Sequence, residues 1–202
     1  VKDSFYGPIR SFEWDLWKLW LRKGSSILEL GNKKNILGVY KIFLESKGYQ
    51  HVSIDINGQD GALPFDLREP VPPLLEKLRL PRQYDLLTNS GVIEHVDVNQ
   101  EAAWRNAFDL VKVGGVQIHI TPAAGHWLNH GLYHPTIEFF ETMAIANDMV
   151  VHTLEKYSWT KGKVLIRAVL QKTRDMDFQY PGDHLLDDTP RRHAIARGKP
   201  LS

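Results

Sequence analysis

With 202 residues and no cysteine, the chain has room for one domain with a sizeable core, and it can form neither a disulfide nor a thiolate-based site. A hydrophobic share of 43%, a charged share of 24% and a net charge of +1 are ordinary for a globular protein and give no global attraction to nucleic acid or an anionic membrane. No apolar run is long enough to span a bilayer and no signal-peptide pattern opens the chain, so a cytoplasmic protein is the expectation.

Residues Ser11 to Leu21 place Phe12, Trp14, Trp17, Trp20 and Leu21 at mixed three- and four-residue spacings, which predicts an amphipathic helix ending near Gly24. Ser26–Leu30 is a short apolar run closing on Gly31, the pattern of a buried strand. Ile36 to Lys47 has a helical period and stops at Gly48; His51–Ile56 alternates and predicts a second strand. Gly61–Leu67 is a short third strand, and Leu74–Leu80 a brief helix behind the Pro-Pro at 72–73. Tyr84–Asn89 is the fourth strand, followed by a helix from about Asn99 to Lys112. Gly114-Gly115 is expected to turn the chain into a fifth strand, Val116–Thr121.

A loop rich in Gly, His and Pro leads to a helix over Thr136–Asn147. Val150–Lys156 and Lys163–Gln171 then face each other across a turn near Thr160–Gly162, an antiparallel hairpin. Alternating strands and helices imply an α/β fold: a mostly parallel, seven-stranded Rossmann-like sheet with helices on both faces and the antiparallel pair at its end. From Thr173 the composition turns polar, with five acidic and five basic residues to Ser202, so this tail is not a polybasic arm. It either wraps the domain or stays mobile.

In open parallel sheets ligands bind beyond the carboxyl ends of the strands, where strand order reverses. The residues at those ends are Glu29-Leu30-Gly31-Asn32, Asp55-Ile56-Asn57-Gly58, Phe65-Asp66-Leu67 and Asn89-Ser90-Gly91. A carboxylate such as Asp55 can accept both hydroxyls of a ribose; Asp and Asn also favour turns, so the residue alone leaves both readings open.

In order, Ile27-Leu-Glu-Leu-Gly31, Asp55, Leu63-Pro-Phe-Asp66-Leu67, Tyr84-Asp-Leu-Leu-Thr-Asn89, Glu94-His95-Val96 and Val111-Lys-Val-Gly-Gly115 resemble the class I S-adenosylmethionine-dependent methyltransferases. The resemblance covers about Ser25 to Lys172, including the closing hairpin that ordinary dinucleotide-binding folds lack. It implies S-adenosylmethionine as cofactor, with Glu29, Gly31 and Asn32 around its methionine part, Asp55 and Ile56 at the ribose, Asp66 and Leu67 at the adenine, and Asn89 on the floor near the sulfonium. It also implies that residues 1–24 cover the cleft. The chain departs from the family's first loop, whose later glycines are here Lys33 and Asn35. The same missing glycines argue harder against a dinucleotide, whose pyrophosphate needs them.

Four histidines follow strand five: His119, His126, His130 and His134, the last three spaced by four. On a helix that spacing would align metal ligands, but Pro122, Gly125, Gly131 and Pro135 argue against a helix, and no metal is expected. In the resembling fold this loop lies over the methyl-transfer cleft. His126 and His130, with His95, are therefore the candidate catalytic bases, against the plainer reading that they cap helices or pack the loop. The expected function is methyl transfer to a small-molecule acceptor. The alternative is a catalytically silent methyltransferase-like binding module, which the Lys33 and Asn35 departure favours.

Overall fold

The computed structural model describes residues 15–31, 40–59 and 61–198. The predicted start of the first helix and the loop carrying Asn32, Lys33 and Asn35 lie outside them. Seven strands form one sheet: β1 (Ser26–Leu30), β2 (Gln50–Asp55), β3 (Leu63–Pro64), β4 (Tyr84–Ser90), β5 (Val111–Pro122), β7 (Met149–Thr160) and β8 (Lys163–Lys172). Their order is β3-β2-β1-β4-β5-β8-β7, with β8 antiparallel to both neighbours and the pairs from β3 to β5 parallel. This is the predicted mostly parallel sheet with its terminal hairpin, and strand order reverses between β1 and β4.

Alternating side chains divide the core in two. Ile27, Leu86, Val116, Ile118 and Val169 lie on one face with Trp17, Leu21 and Leu44, the last from α1 (Tyr40–Ser46). Leu28, Leu87, Ile166 and Leu170 lie on the other, beneath α2 (Pro72–Lys77), α3 (Gln100–Asp109) and α4 (Ile137–Ala146). The described part of the N-terminal aromatic segment thus packs Trp17 and Leu21 into the sheet-face core. Burial of that Trp alone contributes about 2–3 kcal/mol of hydrophobic free energy.

Several boundaries differ from the sequence reading. β3 has only two residues, since Pro64 has no N–H to extend the ladder. α2 begins at Pro72 itself, because proline suits the first helical turn, and gives way by Arg79, whose φ is +56°. Gly114-Gly115 is no turn: β5 runs from Val111 through both glycines, and the irregularity appears as a shift of register opposite Tyr84–Leu86. α4 is capped by Thr136, whose Oγ1 accepts from Phe139 N at 3.0 Å.

The tail wraps the domain. After a 3₁₀ turn at Asp183–Leu185, β9 (Leu186–Asp187) pairs antiparallel with β6 (His134–Pro135), and α5 (Thr189–Ala196) follows. The pairing escaped the sequence reading because each partner is two residues long and carries no periodicity.

Candidate active site

Towards their carboxyl ends the strands exchange apolar for polar side chains. Glu29, Thr88, Asn89, Ser90, His119 and Thr121 are all buried there, and the hydroxyls of Thr88, Ser90 and Thr121 have no hydrogen-bond partner. Outside these ends lies a cleft of about 450 Å³. Its walls come from the end of β2 (Ile54, Asp55, Ile56), from Phe65–Arg68 after β3, and from Gly91-Val92 and His95–Asp97 after β4. The cleft therefore sits at the reversal of strand order, where open α/β sheets place ligands.

Of the residues named from sequence, Asp55, Ile56, Asp66, Leu67 and His95 line this cleft. The Asp55 carboxylate is fixed by Asn57 N, which donates to its Oδ1 at 3.0 Å. Beside it Ile56 is 70% exposed, a large apolar side chain left open to the cleft. Asp66 is held by Arg68, whose Nη2 lies 2.5 Å from Oδ2 and whose Nε lies 3.0 Å from Oδ1; these bonds hold the carboxyl below the usual carboxylate range. Gly31 receives no Cβ for a steric reason: at φ +75° an added methyl carbon would come within 2.5 Å of Val92 Cγ2 on the cleft wall.

Glu29 is buried, with Oε2 3.2 Å from His51 Nε2 on the neighbouring strand. Asn89 is wholly buried and serves the framework. Its Oδ1 accepts from Ile93 N at 3.2 Å, and its Nδ2 lies 3.2 Å from His119 Nδ1. His119 Nε2 in turn lies 2.9 Å from Gln117 Oε1, which assigns the proton to Nε2. Burial pushes the His119 ring down to about 3, so it is neutral at ordinary pH.

The remaining histidines separate. His134 is a core residue whose Nε2 donates to the His130 carbonyl at 2.7 Å, and burial lowers its pKa. His126 is exposed on the turn after Ala123. His130 meets His95: their rings are edge to face, with centroids 4.7 Å apart. Both Nε2 atoms point at one oxygen, Glu94 Oε1, at 3.7 Å from His130 and 4.0 Å from His95. Glu94 is 1% exposed, and neither carboxylate oxygen has a hydrogen-bond partner among the described residues.

Glu94 and His95 sit on a 3₁₀ turn, Ile93–His95, that is pinned on each side. Gln100 Nε2 donates to the carbonyls of Ile93 (3.0 Å) and Val96 (2.7 Å), and its Oε1 accepts from Trp104. The Glu94 carbonyl accepts from Leu132 N (2.7 Å) and Tyr133 N (3.2 Å) of the loop after β5. That loop closes on Glu94 because residue 131 is glycine. At φ +67°, an added Cβ would stand 2.9 Å from Glu94 Cγ and 3.3 Å from the Glu94 carbonyl oxygen. The tail braces the loop: Asp187 Oδ2 accepts from Gly125 N at 3.0 Å, and Arg191 N donates to the Leu132 carbonyl while its Nε reaches Asp97 Oδ1 at 2.7 Å.

Sequence reasoning named Glu94-His95 as a motif but missed the Glu94 carboxylate as a site group, and missed Arg68, Asp97 and Arg191. The one available signal was a Glu-His pair placed directly after a strand end that carries the cleft.

No family model matches the chain, and no curated protein matches it. Solved structures do. The N-methyltransferase NodS from Bradyrhizobium japonicum WM9 superposes with a TM-score of 0.58 at 14% identity, over 83% of this chain and 98% of that one. The StiE O-methyltransferase region, residues 961–1257, gives 0.56 at 10% identity over 93% and 80%. A SAM-dependent methyltransferase from Methanosarcina mazei gives 0.52 at 15% identity over 79% and 98%. The chain has the Rossmann-like fold of the S-adenosylmethionine-dependent methyltransferases.

Proposed function

We propose that this protein is an S-adenosylmethionine-dependent methyltransferase acting on a small-molecule acceptor. The observation that carries the reading is the cleft at the reversal of strand order. There the strand-end carboxylate of Asp55, the exposed Ile56 and the Phe65–Leu67 segment offer ribose and adenine contacts. NodS, which shares the fold, has been crystallised with S-adenosyl-L-homocysteine.

The residues present fit such a group at its adenosine end. Asp55 is placed to accept from the ribose hydroxyls, Ile56 to cover one face of the base, and the Leu67 N–H to meet its edge. Asp66 can accept the adenine amino group once Arg68 swings aside. Because Gly31 lets β1 approach Val92 closely, the backbone there can pass beside the ligand. The bound cofactor supplies an electrophilic methyl group on a sulfonium. With the adenosine at the β2–β3 end, the reacting end points towards the β4–β5 side, where Glu94, His95 and His130 stand. His95 and His130, about half-exposed, border the acceptor there, and positioning supplies much of the rate because the leaving thioether is neutral.

The silent binding module has specific support as well. Two of the three strand-end acids, Glu29 and Asp66, are already engaged by His51 and Arg68. Calorimetric titration with S-adenosylmethionine and S-adenosylhomocysteine, with NAD(P)H as control, decides between them. Micromolar binding of the adenosyl compounds alone is expected; binding of none of them would replace the enzyme by the silent module.

A further inference from the structure

We propose that Glu94, His95 and His130 form a binding site for a divalent first-row transition cation of the zinc class. One carboxylate oxygen and two imidazole nitrogens, all within 4.8 Å of one another, make a two-histidine, one-carboxylate set. This donor set suits Zn²⁺, Co²⁺ or Fe²⁺, and three protein ligands leave coordination positions open.

The independent observation is the state of Glu94. A carboxylate 1% exposed with neither oxygen hydrogen-bonded is costly to bury. The two histidines do not relieve it directly, since 3.7 and 4.0 Å exceed hydrogen-bond length. The two carboxylate–imidazole gaps suit an ion instead: ligands about 2.0–2.2 Å from a tetrahedral cation lie roughly 3.3–3.6 Å apart, a few tenths of an ångström below these gaps, while the two imidazole nitrogens, within 4.8 Å of each other, would close on the ion by side-chain rotation. Both imidazoles are about half-exposed and converge on the buried oxygen by Nε2, so an ion has a route of entry.

The surroundings are built to hold these ligands. The turn that carries Glu94 is fixed by Gln100 at Ile93 and Val96 and by Leu132 and Tyr133 at the Glu94 carbonyl, and the His130 carbonyl is fixed by His134 Nε2. Outer-shell bonds of this kind are what orient ligands at protein metal sites. The sequence reading weighs only His126, His130 and His134 and expects no metal; the proposed site keeps His130 alone of these and takes its other two ligands from the turn after β4.

His95 also lines the cleft, so an ion held by it would border the side where the acceptor is proposed to bind. On the methyltransferase reading, this assigns the acceptor to hydroxyl-bearing compounds. The cation takes the hydroxyl oxygen and lowers its pKa, and the O–H proton leaves to water. The oxygen's electron pair then forms the C–O bond as the methyl–sulfur bond breaks, releasing the thioether.

The test begins with the full chain, stripped with EDTA, and needs neither cofactor nor acceptor. Titration with Co²⁺ is expected to give one equivalent of binding and the visible band of a four- or five-coordinate ion, with Zn²⁺ displacing it. Glu94→Gln and His130→Ala should each weaken Co²⁺ and Zn²⁺ by at least about tenfold, while His126→Ala changes nothing. Because His130 is half-exposed, its variant keeps the test valid even if Glu94→Gln folds poorly. Equal affinity in wild type and both variants, or Co²⁺ binding without the band, overturns the site. S-adenosylmethionine affinity, measured in parallel, separates the two proposals. Cofactor binding without metal binding removes the cation and leaves the methyltransferase; metal binding without cofactor binding does the reverse, and the acceptor assignment falls with the enzyme.

Discussion

At the β2–β3 end of the cleft the functional groups are carried by strand ends, whereas at the β4–β5 end they are carried by loops tied down from elsewhere. Asp55, Ile56, Asp66 and Leu67 follow directly from β2 and β3, so the sheet positions them. Glu94 and His95, His130, and the bracing Asp187 and Arg191 come from three segments far apart in the chain. The first end depends on register, the second on tertiary contacts. Substitutions at the first should therefore change ligand affinity with little effect on the fold, and substitutions at the second should act on both.

The largest effect is expected at the strand end. On the proposed reading, Asp55→Ala would remove charge-assisted hydrogen bonds to both ribose hydroxyls, together worth about 3 kcal/mol, so S-adenosylmethionine affinity should fall about 100-fold. Calorimetry reads the affinity, and circular dichroism should show an unchanged fold. Unchanged affinity would take Asp55 out of the site and with it the contrast drawn here.

Next comes Gly131→Ala, on the loop side. A left-handed φ of +67° and a Cβ driven against Glu94 should cost about 2 kcal/mol, read as a lower urea midpoint. The same variant should weaken Co²⁺ binding, because His130 is the adjacent residue. A stability equal to wild type would mean that the loop closes on Glu94 without needing this glycine.

An effect smaller at any one pH unit tests the framework between the two ends. His119 is neutral when folded, with its ring pushed down to about 3, against about 6.5 in an unfolded chain. Below pH 6.5 the unfolded state therefore binds a proton that the folded state refuses. Stability should be level above pH 6.5 and fall as pH drops towards 3, by on the order of 1 kcal/mol per pH unit. His134, also lowered by burial, adds to the same slope. His119→Gln should flatten the curve in this window; an unaltered slope would assign it to other groups.

The same division explains what the sequence disclosed. β1, β2, β4, β5 and the terminal hairpin were legible because buried strands show as apolar runs and turns as Gly or Pro. The position of Asp55 and Asp66 on the cleft wall was legible because a strand end is a place one can count to. His126 and His130 were not distinguishable, four residues apart in one loop, since only the turns around Gly125 and Gly131 decide which one reaches Glu94. The burial of Glu94 was illegible for the same reason: it is produced by Gly131, Leu132 and Tyr133 folding back on it, and nothing adjacent to Glu94 encodes that. The place of Asn89 at a strand end was legible, while its partners Ile93 and His119 appear only in the folded chain.

The smallest effect is expected at the tail. The Arg191–Asp97 pair is short, at 2.7 Å between Nε and Oδ1, yet both side chains remain partly exposed. Pairs of that kind contribute little, because solvent screens them and two long side chains lose freedom in forming them. Arg191→Ala leaves in place its own N–H donation to the Leu132 carbonyl, the β6–β9 pairing and the Asp187 bond to Gly125. The melting temperature should shift by about 2 °C or less. Hydrogen exchange at the Leu132 and Tyr133 amides, which bond the Glu94 carbonyl, should be unchanged. Should those amides exchange much faster, the ion pair rather than the backbone pairing would be what holds the loop. The β4–β5 end would then be an electrostatic assembly, sensitive to salt in a way that the β2–β3 end is not.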